Sequence, residues 1–395
     1  MGIRQALAID CEKVVGLEKY SFDYTDTYSA KYKERFSNIY DQYLVAEEEG
    51  ELLASGRIIP FEQNIRGCWK HVGALGSLAT ATESRRQGIA RNLMDCGINL
   101  MHEKGFASSL LYPFNDSFYS AFGFINCPPI LSITANPNQL RKWKMPVGYS
   151  VCRRDYSEGR EVFQKVHDKY VEKTHGAIRR GIRRWDELCL GNDCNLAFVK
   201  APSGDIEGIM IYRNTGYNQF GDNKTVGTME IKEWYCLSCE ARIAFLNYIY
   251  LHSGQIKKVS IPLDPVSDDY FHWVEDRNVP VIQARRSYMI RLINVELALV
   301  GIPVIREGYV TIEIIDPYCK WNNGIFKLEN RDGNLDVMKV DAEPESKMTI
   351  EAITALAYGV ADVSTLRCLK WIDGLVPDVF EDWFARCNMW MTEDF

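Results

Sequence analysis

The sequence predicts a mixed α+β fold class: two tandem copies of one unit, then a smaller third unit. Three observations carry this reading. A basic turn, Arg85-Arg86-Gln87-Gly88-Ile89-Ala90, lies between the apolar run His71–Ala81 and a segment with Ile89, Leu93, Cys96, Gly97, Leu100 and Met101 at helical spacing. The order around it (helix, hairpin, strand, turn, helix, strand) recurs between Phe163 and Pro262. From about Arg285 the pattern changes to a short helix, three strands and two helices. The divisions expected are residues 1–143, 144–284 and 285–395.

The elements follow in order. Val14 to Phe36 reads as helix, with Tyr28, Tyr32, Phe36, Ile39 and Tyr43 near one face. Two β-type runs, from Tyr43 and from Glu51, flank an acidic turn at Gly50 and read as a hairpin. Phe106–Tyr112 is the strand after the long helix, stopped by Pro113. Asp116 or Ser117 can cap the short helix that follows, and Gly123 can end it. In the second copy, helices are expected over 163–170, 179–190 and 240–252. Strands are expected over 195–200, 207–212, 228–235 and 258–262. The link between its strand and its last helix, Cys236 to Arg242, has no glycine and carries Glu240. An anion site is not expected there.

The basic turn has the chemistry of a pyrophosphate cradle. The first N–H groups of a helix have no partner within it, and the helix dipole places partial positive charge beside them. Gly88 has no Cβ to obstruct a phosphate. Arg85, Arg86 and Arg91 add charge. Neither GxxxxGK[ST] nor GxGxxG occurs at this turn.

Composition narrows the partners. The net charge of −7 and the pI near 5.6 disfavour nucleic acid and suit a cationic substrate. No apolar run approaches the roughly 20 residues that span a bilayer, so no membrane partner is expected. The opening residues lack a signal peptide's apolar core, and a cytoplasmic location is expected. Cys236-x-x-Cys239 stands without a second pair, and no metal is expected. The run Arg179 to Arg184 reads as a solvated or inter-domain face.

The R-x-x-G-x-A turn resembles motif A of the GCN5-related N-acetyltransferases (GNAT), which bind the pyrophosphate of acetyl-CoA. Phe118-Tyr119-Ser120-Ala121-Phe122-Gly123-Phe124 resembles the F-Y-x-x-F-G-F segment of the same superfamily, in the right order along the chain. The whole chain resembles the Eis (enhanced intracellular survival) family, with a degenerate second GNAT-like unit and a C-terminal unit similar to sterol carrier proteins. The resemblance implies an acetyl-CoA-dependent N-acetyltransferase acting on a primary amine, of the aminoglycoside or polyamine kind, and a hexamer. By position it implies coenzyme contacts at Leu78, Ala79 and Thr80, at Arg85, Arg86, Gln87, Gly88, Ile89, Ala90 and Arg91, and at Phe114 and Asn115. It also implies Tyr119 as general acid and the carboxylate of Phe395 as general base. Asp23, Asp26 and Asp394 are the acidic candidates for holding the amine. A phenol of pKa about 10 can protonate a departing thiolate, whereas an α-carboxylate at about 3.5 needs desolvation or a relay water to act as base. The alternative is a non-catalytic acyl-CoA or lipid-binding protein working through its last unit.

Overall fold

The computed structural model describes residues 1–154, 156–188, 194–216, 227–264, 270–275 and 281–395. The first unit contains strands β1 (Gly2–Gln5), β2 (Tyr43–Glu48), β3 (Glu51–Ile65), β4 (Cys68–Thr80), β5 (Ser108–Leu111) and β6 (Ile125–Asn126). Its helices are α1 (Cys11–Phe22), α2 (Asp26–Phe36), α3 (Ile89–Glu103) and α4 (Asp116–Ser120). After β7 (Ile130–Ala135) come β8 (Ser150–Arg154), β9 (Ile178–Arg179), β10 (Asn195–Lys200), β11 (Ile206–Thr215), β12 (Gly227–Cys236), β13 (Ile256–Pro262) and β14 (Val281–Arg285). With them are α5 (Tyr156–Val171), α6 (Ile182–Leu188) and α7 (Cys239–Leu251). Beyond β15 (Met289–Leu292) lie β16 (Tyr309–Ile315), β17 (Gly324–Arg331), β18 (Asn334–Val340), β19 (Ser346–Thr349) and β20 (Ile372–Gly374). The accompanying helices are α8 (Val295–Leu299), α9 (Ile350–Ala357), α10 (Val363–Cys368) and α11 (Asp378–Trp383).

The mixed α+β fold class expected from the sequence is the one observed. Three sheets run β1-β2-β3-β4-β5-β15-β6 with β9 on β3, then β14-β7-β13-β12-β11-β10-β8, then β18-β17-β16-β19-β20. Two strands cross the divisions expected from the sequence. β7 enters the second sheet between β13 and β14, and β15 enters the first between β5 and β6. Both are short and mostly apolar; β15 is buried at all four residues, Arg291 among them, so it needs a sheet interior on both faces.

Local chemistry explains the other departures. The helix expected over 14–36 breaks at Asp23, which takes a left-handed conformation with φ 55° and ends α1. Thr25 then starts α2 by accepting the Tyr28 N–H. Arg179 belongs to a strand on β3 rather than to a helix. Residues 189–190 of the expected 179–190 helix lie outside the described residues.

The cores are continuous across units. Ile59, Phe61, Val72 and Ala74 of the first sheet share one buried cluster with Ile312, Phe326, Leu356 and Phe380 of the third unit. A buried ion pair pins this junction. The Arg291 guanidinium on β15 meets Asp316 at 2.5 Å with both side chains fully buried, and it also donates to the carbonyl of Phe122. Asp316 in turn accepts the N–H groups of Tyr318 and Cys319 and the amide of Asn322. Replacing Asp316 by alanine would strand a buried guanidinium. We expect that substitution to destabilise the chain by about 3–5 kcal/mol in denaturant titrations; a change within 1 kcal/mol would show that the pair does not secure the junction.

Candidate active site

β4 and β5 run parallel only from Val72↔Ser108 to Leu75↔Leu111. β5 then stops, while β4 continues to Thr80. Among the described residues no strand faces the edge of Gly76–Thr80 on that side, and residues 75–78 are half-exposed although β4 is central in the sheet. On its other side the ladder slips: Arg57 pairs with Gly76, but Ser55 pairs with Ala79. β4 therefore carries one extra residue, a bulge in which Ser77 has φ 51°. The result is an opening with free backbone amides along one wall, suited to an extended ligand that pairs as a strand would. Leu78, Ala79 and Thr80 lie on that wall.

The wall leads into the basic turn. Arg85 is extended and donates from Nε to the carbonyl of Thr80 at 3.2 Å. Arg86 and Gly88 both take left-handed conformations, with φ 62° and 80°. α3 begins at Ile89 with no side-chain cap and no acidic residue in its first turn, so the N–H groups of Ile89, Ala90 and Arg91 point at an anion-ready end. Residues 85–88 are exposed. The sequence reading explained Gly88 by the room its missing Cβ leaves. The φ of 80° at Gly88 by itself favours glycine, and no protein atom lies within 4 Å of where a Cβ would stand, so the space above it is open. The Arg91 guanidinium lies over the Phe122 ring at 5.2 Å. In the second unit the corresponding end of α7 is already satisfied. The Ser238 hydroxyl accepts the Ala241 N–H and donates to Glu207 at 2.6 Å, and Glu240 sits in the first turn. Two carboxylates there repel a diphosphate.

Tyr119 lies on α4, just past the end of β5. The cap of that helix is Asn115, which accepts the Ser117 N–H at 3.0 Å, and not Asp116 or Ser117. Asp116 instead pairs with Arg286 at 3.1 Å. The Tyr119 ring is buried edge-on against Phe114, Phe118 and Phe124, and burial raises its pKa, so the phenol keeps its proton at neutral pH. Phe114 itself is 65% exposed.

The last residues thread from the third unit across the second and into the first. The Trp390 N–H donates to the His175 carbonyl, and Thr392 meets the Tyr235 hydroxyl at 2.8 Å. Glu393 is buried between the guanidinium groups of Arg180 and Arg184, and Arg180 also pairs with Glu233 at 2.9 Å. The Tyr112 hydroxyl donates to the Glu393 carbonyl, and Arg184 donates to the carbonyl of Asp394. The Phe395 ring then packs on Tyr112 and Phe61, with centroids 5.1 and 6.0 Å apart. Its carboxyl carbon would lie 3.6 Å from a Cβ on Gly76, so the wall is bare where the carboxyl seats. Of the run read as a solvated or inter-domain face, Arg180 and Arg184 thus clamp the chain end, while Arg183 pairs with Asp41 at 3.2 Å.

The acidic candidates fall less closely together. Asp26 is 92% exposed and engaged by Lys19. Asp23 is the exposed residue that terminates α1. Asp394 is exposed, 3.9 Å from Arg285. Sequence reasoning passed over Glu18, Gly76, Ser77 and Glu393. Glu18 is fully buried on α1 behind the bulge, and burial lifts its carboxyl to about 7. Its only signal was an acid on the apolar side of an amphipathic helix. Among the described residues no group of three or more His, Cys, Asp or Glu is placed to hold a metal ion, and no helix is long and apolar enough to cross a membrane.

This arrangement is that of an acyltransferase. Residues 2–126 match the acetyltransferase (GNAT) domain, residues 176–292 match a second acetyltransferase (GNAT) domain model, and residues 295–391 match the sterol carrier protein domain. The chain is therefore an enzyme of the GNAT type, with an acyl-CoA as cosubstrate and an amine as acceptor. An uncharacterised N-acetyltransferase of Streptomyces coelicolor is 19% identical over 299 residues, covering 73% of this chain and 71% of its own. The crystal structure of a GCN5-related N-acetyltransferase from Anabaena variabilis is 19% identical with a TM-score of 0.87, over the whole of both chains. Eis1 from Mycobacterium abscessus is 16% identical with a TM-score of 0.80, also over both whole chains. At these identities the solved structures establish a shared fold.

The clamp makes a pH prediction. Burial pushes the Glu393 carboxyl up, but Arg180 and Arg184 reverse that and hold it at about 2, against the usual 4.5. A lowered folded-state value stabilises above the unfolded one and is lost as the carboxylate protonates. The end segment should stay protected from hydrogen exchange above pH 5 and loosen between about 4.5 and 2, forfeiting on the order of 3 kcal/mol. Protection factors of residues 390–395, taken against the intrinsic exchange rate at each pH, that stay constant as Glu393 protonates would contradict this.

Proposed function

We propose that this chain is an Eis-type N-acetyltransferase, which moves the acetyl group of acetyl-CoA to a primary amine of a cationic small molecule, an aminoglycoside or a polyamine-like compound. One observation carries the reading: the carboxyl of Phe395 sits on Gly76, in the opening where β4 and β5 part. That opening continues along Leu78–Thr80 to the diphosphate-binding turn, and α4 with Tyr119 follows directly from β5. The net charge of −7 favours encounter with a cation.

In this mechanism the exposed turn from Arg85 to Gly88 and the first turn of α3 grip the diphosphate, and the free edge of β4 holds the extended arm, so that the thioester is fixed beside the acceptor. The neutral amine attacks the thioester carbonyl. The Phe395 carboxylate takes the proton that the nitrogen sheds as the C–N bond forms. Tyr119, kept protonated by burial, donates to the sulfur as the C–S bond breaks. Packing of the Phe395 ring against Tyr112 and Phe61 holds the carboxylate in place at Gly76. The second unit, its helix end self-satisfied, serves as scaffold and clamp. A hexamer in the cytoplasm belongs to the same reading. The lipid-carrier alternative is less favoured, since α9 and the apolar face of the third sheet fill the interior of the third unit with their own side chains.

Two variants test these roles. Tyr119→Phe should lower kcat by about 10²-fold while calorimetry with coenzyme A gives near-normal affinity; unchanged turnover would remove the phenol from the chemistry. Adding residues after Phe395 should likewise cut kcat, because it removes the carboxylate from Gly76. Full activity of an extended chain with a panel of polyamines and aminoglycosides would discard that base.

A further inference from the structure

Glu18 has no part in the mechanism above, yet it is the most anomalous acid in the first unit. It is fully buried, and neither oxygen has a hydrogen bond of normal geometry. A carboxylate in that condition is costly unless a proton or a cation comes to it. The groups facing it come from every neighbouring element: the Tyr43 hydroxyl on β2, Arg57 on β3, the Ser77 hydroxyl at the β4 bulge, Tyr24 after α1, and Tyr32 on α2. The Arg57 guanidinium is held by Gln42 Oε1 at 2.9 and 2.6 Å. Ser77 is half-exposed in the opening and adjoins Gly76, where the Phe395 carboxyl sits. The bulge thus brings a hydroxyl between a sealed carboxylate and the acceptor side of the opening.

We propose that Glu18 is a remote proton acceptor for the acceptor amine, which passes its first proton inward through the Ser77 hydroxyl. The inference rests on the acetyltransferase reading. Amines of this class are ammonium ions at neutral pH, with pKa near 10, and an ammonium cannot attack. Two protons must leave the nitrogen. The first passes to Ser77 Oγ as the Ser77 proton passes to Glu18, giving a neutral amine and a neutral carboxylic acid. The second leaves with C–N bond formation to the Phe395 carboxylate, which restores the Tyr119 proton given to the thiolate. Glu18 then returns its proton to solvent, so each turnover yields one amide, one thiol and one H⁺. Burial, which outweighs the pull of Tyr43, Ser77 and Arg57, holds Glu18 at about 7, matched to this task.

The test is thiol release by the full chain from acetyl-CoA with spermidine, putrescine and kanamycin, measured from pH 5.5 to 10. Wild-type kcat/KM should rise through pH 7 and level off. Glu18→Gln should lose about 10²-fold at pH 7, recover as the pH nears that of the free amine, and keep normal affinity for coenzyme A. Ser77→Gly, which tolerates φ 51° and keeps the carboxylate, should shift the profile the same way; it decides the matter should the glutamine variant not fold. Wild-type profiles in both variants would overturn the relay and leave the enzyme assignment standing. Absence of turnover by the wild type with all three amines would overturn the assignment and the relay together.

Discussion

The carboxylate of Glu393 between two guanidinium groups is the contact on which the site depends. Buried ion pairs rarely add much to stability, because desolvation consumes most of the Coulombic gain. What this one supplies is register. Arg180 and Arg184 come from the second unit, Glu393 from the end of the third, and the neighbouring Tyr112 from just past the end of β5 in the first. A charge that cannot be left unpaired fixes the tail to within a hydrogen bond, two residues before the carboxyl that sits on Gly76. All three units thus converge on one atom group, although the long helix of the first unit starts uncapped and that of the second is capped by its own serine.

The comparison of α3 with α7 shows how little chemistry separates a ligand site from a structural joint. Both helices follow a strand that parts from its parallel neighbour. One begins with Gly88 in a left-handed conformation and leaves its first amides uncapped. The other begins with a serine that caps itself and anchors a glutamate. The same place in the unit is an open helix end in one and a closed helix end in the other.

What the sequence made legible was local. The basic turn and the aromatic phrase around Tyr119 are each written in a dozen neighbouring residues, the repeated order of elements is a series of such short signals, and each has a physical cause that acts at short range. The break at Asp23 was hidden because helical spacing of apolar residues continues on both sides of it. The clamp was hidden because Arg180 and Glu393 lie far apart in the chain, and an arginine run reads as solvated until its partner is located. Glu18 was hidden for the opposite reason: an acid on a helix is ordinary, and only its lack of a partner in the packed structure makes it notable. The exchange of β7 and β15 had no sequence signal beyond two short apolar segments near expected boundaries.

That exchange has a consequence for how the chain is made. The first sheet lacks its penultimate strand until Met289–Leu292 has been synthesised, and until then the edge of β5 has no partner on that side. The first unit therefore cannot complete its sheet as an independent module while translation proceeds, unlike domains that fold one after another. It waits on the ribosome for nearly three-quarters of the polypeptide. A nascent chain halted short of that point exposes an unpaired strand edge, the kind of surface that recruits chaperones or aggregates.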